Sequence, residues 1–145
     1  MSRITDHQSP SEIEITISAT VDHVDRAVVS VKKTLAAKFS NYDDFSLELI
    51  LRETLMNAVK HGSGYDAKKK IFLKLSWDDQ YFYIQIRDEG QGFSYTPGIP
   101  KKAIPDSESG RGLPIIEYYA KQIRFNETGN EVKIKTRISK REPNA

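Results

Sequence analysis

Along the chain the apolar positions change period several times, and each change predicts an element. Residues Glu12–Ser18 (EIEITIS) alternate strictly, with Ile13, Ile15 and Ile17 on one face, the pattern of a half-buried strand. From Val21 to Phe39 the period becomes helical, with Val21, Val24, Val28, Val31 and Leu35 as the apolar stripe and Thr20 or Asp22 placed to cap its start. After a break at Asn41–Asp44, a second helix is predicted to run to His61 and stop at Gly62, read as a C-terminal capping glycine. Its buried face is Leu47, Ile50, Leu51, Leu55, Ala58 and Val59.

Ile71–Trp77 and Tyr81–Arg87 are β-rich runs around Asp78-Asp79-Gln80, which predicts an antiparallel hairpin. Pro114–Lys121 predicts a short helix with proline in its first turn. Ile123–Asn126 and Glu131–Ser139, separated by Glu127-Thr128-Gly129-Asn130, predict a second hairpin. The order β-α-α-β-β-loop-α-β-β, dominated by hairpins, implies an α+β two-layer sandwich. Its sheet should be mixed and mostly antiparallel, with the helices on one face. One domain over 12–139 is expected, with flexible tails at 1–11 and 140–145.

Bulk composition narrows the class without naming a function. At 145 residues with 38% hydrophobic and 29% charged side chains, the chain reads as an ordinary globular domain. A net charge of +2, from 22 basic and 20 acidic residues, gives no electrostatic reason to expect nucleic acid. Without cysteine there is no disulfide framework and no thiolate metal site. The polar start MSRITDHQSPSE lacks a signal-peptide core, and no apolar run is long enough to span a bilayer. The expectation is a cytoplasmic protein that neither enters a membrane nor binds nucleic acid directly.

The second helix breaks its own pattern. Glu53, Asn57 and His61 recur every four residues along it, and Asn is a poor helix-interior residue because its amide competes for backbone hydrogen bonds. Taken singly, each has a plain explanation: a satisfied amide, a solvated carboxylate, a histidine suited to a helix C-terminus. Further on, IRDEGQGF leaves a strand into a turn with Asp88, Gly90 and Gly92. Seventeen residues then separate Gly92 from Gly110, a length that in compact domains belongs to lids or disordered segments. The pair Gly110/Gly112 opens into the short helix, where close backbone approach and free N–H groups favour phosphate. Neither glycine pair fits a P-loop or a dinucleotide-binding fingerprint.

Together these parts suit a nucleotide site. The Asn57 amide can ligate Mg²⁺ without adding charge, and Glu53 can accept the proton of an incoming hydroxyl. Lys60 can reach a terminal phosphate, and Asp88 can accept a hydrogen bond from an adenine amine.

This order of motifs resembles the GHKL (Bergerat) ATP-binding fold of histidine kinases, gyrase B and MutL. The family's N box is similar to Glu53-x-x-x-Asn57-Ala58-x-Lys60-His61-Gly62, its G1 box to Asp88-x-Gly90-x-Gly92 and its G2 box to Gly110-x-Gly112. The nearest resemblance is to the stand-alone anti-sigma factor and serine-protein kinase group, of the RsbW and SpoIIAB type. His7 and His23 lack the setting of a phosphoacceptor histidine, which argues against a histidine kinase. The resemblance implies ATP and Mg²⁺ as cofactors, and as partners a sigma factor, a STAS-domain anti-sigma factor antagonist phosphorylated on serine, and a second copy of the chain. It implies Glu53 as general base, Asn57 as Mg²⁺ ligand and Lys60 as a phosphate contact. It further implies Asp88 as reader of the adenine amine, Gly90 and Gly92 as shapers of its pocket, and Gly110 and Gly112 as phosphate cradle. Arg111 between the last two is placed to reach phosphate as well. A binding module that sequesters a regulator without transferring phosphate is the alternative. One departure is that relatives often carry Thr early in the final hairpin, where this chain has Gly129-Asn130-Glu131; Thr136 is the nearest substitute along the strand. The Ile13/Ile15/Ile17 strand is expected at a sheet edge, available for dimer contacts.

Overall fold

The computed structural model describes residues 3–5, 11–90 and 114–139. It contains β1 (Arg3–Thr5), β2 (Glu12–Ser18), α1 (Val21–Lys38), α2 (Asp44–Asn57), a π-helical turn over Ala58–Gly62, β3 (Lys70–Trp77), β4 (Tyr81–Asp88), a short helix α3 over 114–119, β5 (Gln122–Phe125) and β6 (Glu131–Arg137). The strands form one six-stranded sheet in the order β1-β2-β3-β4-β6-β5, and all five pairings are antiparallel. This is the two-layer α+β sandwich that the hairpins imply.

Register explains why one face is buried. Ile15, Leu73, Ile86 and Val132 fall opposite one another across four strands, and Ile13, Leu75, Ile84 and Ile134 make the next row. All eight are buried beneath α1 and α2, each contributing about 1.5–3 kcal/mol of apolar transfer. The alternate residues point to the opposite face, as a period of two requires. At one end of the core Phe39, Tyr42, Trp77 and Phe82 pack edge to face, with ring centroids 5.5–6.4 Å apart. Burial, reinforced by a hydrogen bond to Asp44, pushes the Tyr42 hydroxyl up to about 12.

Three expectations change. Arg3–Thr5 pairs with Glu14–Thr16, so part of the expected N-terminal tail is a strand and β2 is an interior strand, not an edge. Three residues carry too little periodicity to announce a strand; the pairing partner supplies what the pattern lacks. In α1, Val21 is exposed and Ala27 takes its place on the buried stripe, because Val21 is the first helical residue and lies beyond the sheet-facing side. The long helix ends as an α-helix at Asn57 and widens into the π turn, marked by Ser63 N donating to the Ala58 carbonyl at 2.8 Å.

Both helix starts are capped. Thr20, the first of the two residues expected there, accepts from His23 N. Asp43 caps α2 by accepting from Ser46 N at 3.1 Å and Ser46 Oγ at 2.6 Å. Its own N–H donates to Ile138 O at 2.7 Å, which ties the start of α2 to the end of β6. Along their length the helices are joined by Lys32 and Arg52, which reach Glu48, Asp44 and Asp25. Asp43→Ala is expected to cost about 1 kcal/mol, read as a lower urea midpoint with an unchanged slope.

Candidate functional site

The site lies where α2 leaves its regular geometry. Thr54, Asn57 and Ala58 of the long helix face Ile86 and Asp88 of β4, and the cleft is closed by Gly129 and Asn130 of the β5–β6 turn with Glu131 and Val132 at the start of β6. Ile116, Ile123 and Phe125 form an apolar wall. Asn57 and Asp88, far apart in sequence, therefore line one narrow cleft of about 20 Å³, room for little more than a water molecule.

Glycine is required at two points of this junction. A Cβ on Gly62 would sit 2.2 Å from the Asp88 carboxylate, and one on Gly90 would sit 1.4 Å from the Gly62 carbonyl oxygen. Gly62 is thus not a left-handed cap: the positive φ angles fall on Gly64 (58°) and Tyr65 (61°). Its absent side chain makes room for Asp88. The wide turn and the end of β4 interlock as bare backbone against a carboxylate. Single π turns inside helices often mark such functional places.

Asp88 is 6% exposed, so its carboxyl is almost removed from water. Burial raises its pKa above the ordinary carboxylate range; the hydrogen bond from Gly90 N and the charges of Lys69 and Arg87 oppose this. Gly90 N donates to Asp88 Oδ1 at 2.7 Å, while Asp88 N donates to Asn130 O at 2.9 Å. The carboxylate is held in place yet keeps lone pairs for a ligand donor.

The β5–β6 turn is organised by Asn126, expected only as the last residue of a strand but lying just past the end of β5. Its Oδ1 accepts from the N–H groups of Gly129 (2.7 Å), Asn130 (3.1 Å) and Glu131 (3.2 Å). An Asn three residues before a glycine of φ 83° is a legible turn signal in hindsight. Thr54 was also missed; its hydroxyl is spent on the Ile50 carbonyl at 2.6 Å, which leaves its methyl for the cleft. Thr136 is a correction. It pairs with Phe82 at the far end of β4, and its Oγ1 donates to Tyr119 O at 3.3 Å. It cannot replace the missing hairpin Thr beside the base.

Glu53 lies one turn before Asn57, half-buried, and is not among the residues lining the cleft. Lys60 and His61 lie on the π turn, also half-buried and outside that lining. Gly92, Gly110, Arg111, Gly112 and the expected lid fall outside the described residues. Among the described residues no three His, Asp or Glu side chains cluster to hold a metal. The amide of Asn57 is a fit ligand for Mg²⁺ only if phosphate oxygens complete an octahedral shell.

Comparison with known proteins settles the family. Residues 17–136 match the histidine kinase-like ATPase domain. The chain belongs to that family. Curated relatives include the protein named Anti-sigma F factor from Bacillus subtilis (strain 168), 24% identical over 138 residues, covering 90% of this chain and 94% of the relative. The Anti-sigma F factor of Bacillus licheniformis is 25% identical over 140 residues with the same coverage. Within this fold Asn57 ends α2 and Asp88 ends β4, and both line the cleft. Among the described residues no helix is long and apolar enough to cross a membrane.

Two outcomes follow. Gly90→Ala is expected to cost more than about 3 kcal/mol or to prevent folding, because its clash is with backbone that cannot rotate away; urea denaturation checks it. For Asp88 the folded pKa is raised, so ionisation costs stability, and the cost grows as pH rises from the unfolded carboxylate value through the folded one. Asp88→Asn, which keeps the Gly90 hydrogen bond, should therefore raise the ligand-free melting temperature at neutral pH. The gain should shrink as pH is lowered into the ordinary carboxylate range.

Proposed function

We propose that this chain is an anti-sigma factor that binds Mg-ATP in the α2–β4–hairpin cleft and phosphorylates a serine or threonine of a STAS-domain antagonist. The carrying observation is the buried Asp88 carboxylate locked beside Asn57 by two side-chain-free contacts. A carboxylate buried at such cost is consistent with a fixed acceptor for an exocyclic amine. The names and near full-length coverage of the relatives support the anti-sigma assignment.

When bound, Mg-ATP supplies the transferable phosphoryl group and the counter-charge for it. Asp88 would accept from the adenine amine once the cleft widens to admit the base, with Ile116, Ile123 and Phe125 as the apolar wall beside it. The Asn57 amide oxygen would hold the Mg²⁺ that accompanies the triphosphate. Glu53, one helical turn away, would take the proton of the substrate hydroxyl, whose oxygen would gain the γ-phosphoryl group as the bond to the β-phosphate breaks and ADP leaves. Lys60 and Arg111 would contact phosphate, Gly92 would complete the base pocket, and Gly110 and Gly112 would let backbone N–H groups approach the phosphate oxygens. A sigma factor, the STAS antagonist and a second copy of the chain are the partners, in a cytoplasmic setting. With β2 interior, the homodimer needs a contact other than its edge.

A second reading, binding without transfer, is favoured by one observation: Glu53 stands outside the cleft lining. Incubation with labelled ATP and a STAS-domain partner separates the two, because only the kinase yields phosphoserine or phosphothreonine. Glu53→Gln should keep nucleotide binding and lower phosphoryl transfer about 10²–10⁴-fold. Unchanged transfer would remove Glu53 from the role of base. Asn57→Ala should weaken nucleotide binding with magnesium far more than without it, which calorimetry measures directly.

A further inference from the structure

The nucleotide cleft uses the helix-covered side of the sheet. The other side is uncovered by any described element, and its charge is unevenly spread. Arg87 on β4, Lys133, Lys135 and Arg137 on β6 and Arg124 on β5 all point outward by strand alternation, while Glu131 is the acidic residue on these strands and Asp78 of the β3–β4 turn accepts from the outward Tyr83 hydroxyl at 2.7 Å. The Glu131 carboxylate is already taken by the Gln85 amide. The other acids on this face, Glu12 and Glu14, stand at the opposite margin on β2, where Lys74 reaches Glu12 at 3.8 Å. A chain of net charge +2 thus gathers five cations on three adjacent strands against two engaged carboxylates, Glu131 and the neighbouring Asp78.

Two features go beyond an ordinary solvated face. Lys133 and Arg124 are directly opposed across the β5–β6 pair, a like-charge arrangement that costs stability. Charge that merely guards a sheet edge would sit on the edge strand, whereas Arg87, Lys133 and Lys135 belong to interior strands β4 and β6. We propose that this outer face is a docking surface for an acidic segment of a partner protein, rich in Asp and Glu, whose carboxylates relieve the opposed cations. Strands lie about 4.8 Å apart, so the Lys133–Arg124 pair matches neighbouring carboxylates on an extended or helical acidic segment. The inference is independent of the nucleotide reading, since the surface lies across the sheet from the cleft.

Other anions fit less well. Single-stranded nucleic acid gains much of its affinity from bases stacked on rings. Here Arg87 covers the Phe72 ring and Lys135 the Tyr81 ring, each at 4.3 Å from the centroid, so stacking would have to displace both cations. A second copy laid on this face with like strands facing would oppose cations to cations over β4, β6 and β5.

The test uses the full chain and fluorescein-labelled poly-L-glutamate, followed by anisotropy at low ionic strength. Lys133→Glu/Lys135→Glu should weaken binding at least about tenfold, and Lys133→Gln/Lys135→Gln by an intermediate amount. Lys33→Glu/Lys38→Glu on α1 should change it little, and thermal melts confirm that each variant is folded. Equal affinity in the charge-reversed variant overturns the proposal. So does oligothymidylate of equal length binding more tightly than polyglutamate through the same residues. Sedimentation in which the reversal converts a dimer to a monomer overturns it too, because the occupant is then a second copy.

Discussion

The contact on which the site depends is a carboxylate pressed against backbone. Asp88 can be buried at the end of β4 only because Gly62 presents no Cβ, and Gly90 can follow it only because it has none either. Three residues from two distant segments thereby fix the wide turn of the long helix against the sheet. The price is a desolvated carboxyl with a raised pKa and a helix that abandons its regular hydrogen bonds after Asn57. Neither feature helps a ligand-free fold. Both become intelligible if the cavity holds a donor for Asp88, which is how locally unfavourable features at functional sites are generally maintained.

The rest of the molecule holds that contact in place. Register stacks isoleucine and leucine in rows on one sheet face, and α2 must lie across them to bury its own stripe. Asp43, bonded to Ser46 and Ile138, sets where α2 begins on the sheet, and the ion pairs through Arg52 and Lys32 hold it beside α1. Once its start and inner face are set, the only remaining freedom of α2 is at its C-terminal end, where the π turn lies. The aromatic cluster is at the opposite end of the hairpin, where Trp77 faces Phe82, while Ile71 faces Asp88 at the cleft. The chain thus separates a packed apolar end from a polar working end.

Most of the architecture was legible in residue patterns because it rests on periodicity. The alternation of β2, the hairpins around Asp78 and Gly129, and the apolar stripe from Leu47 to Val59 each specify one burial face. What escaped has local physical reasons. A three-residue strand has no period of its own. The π turn lies against Asp88, a contact from a distant strand that no window around Gly62 contains. Asn126 and Thr54 act through hydrogen bonds to backbone, so their roles depend on neighbours brought in by the fold. The pairing of Asn57 with Asp88 was expected from motif order, and the structure brings both to one cavity. The Thr136 substitution failed because strand distance along β6 carries it to the wrong end of the sheet.

The central claim is that this cavity receives the base of a magnesium-bound adenine nucleotide. A crystal structure of the chain with Mg²⁺ and a non-hydrolysable ATP analogue tests it most directly. The account predicts the adenine amine within hydrogen-bonding distance of the Asp88 carboxylate and the metal coordinated by the Asn57 amide oxygen. A nucleotide bound elsewhere with Asp88 unengaged, or a metal remote from Asn57, would contradict it.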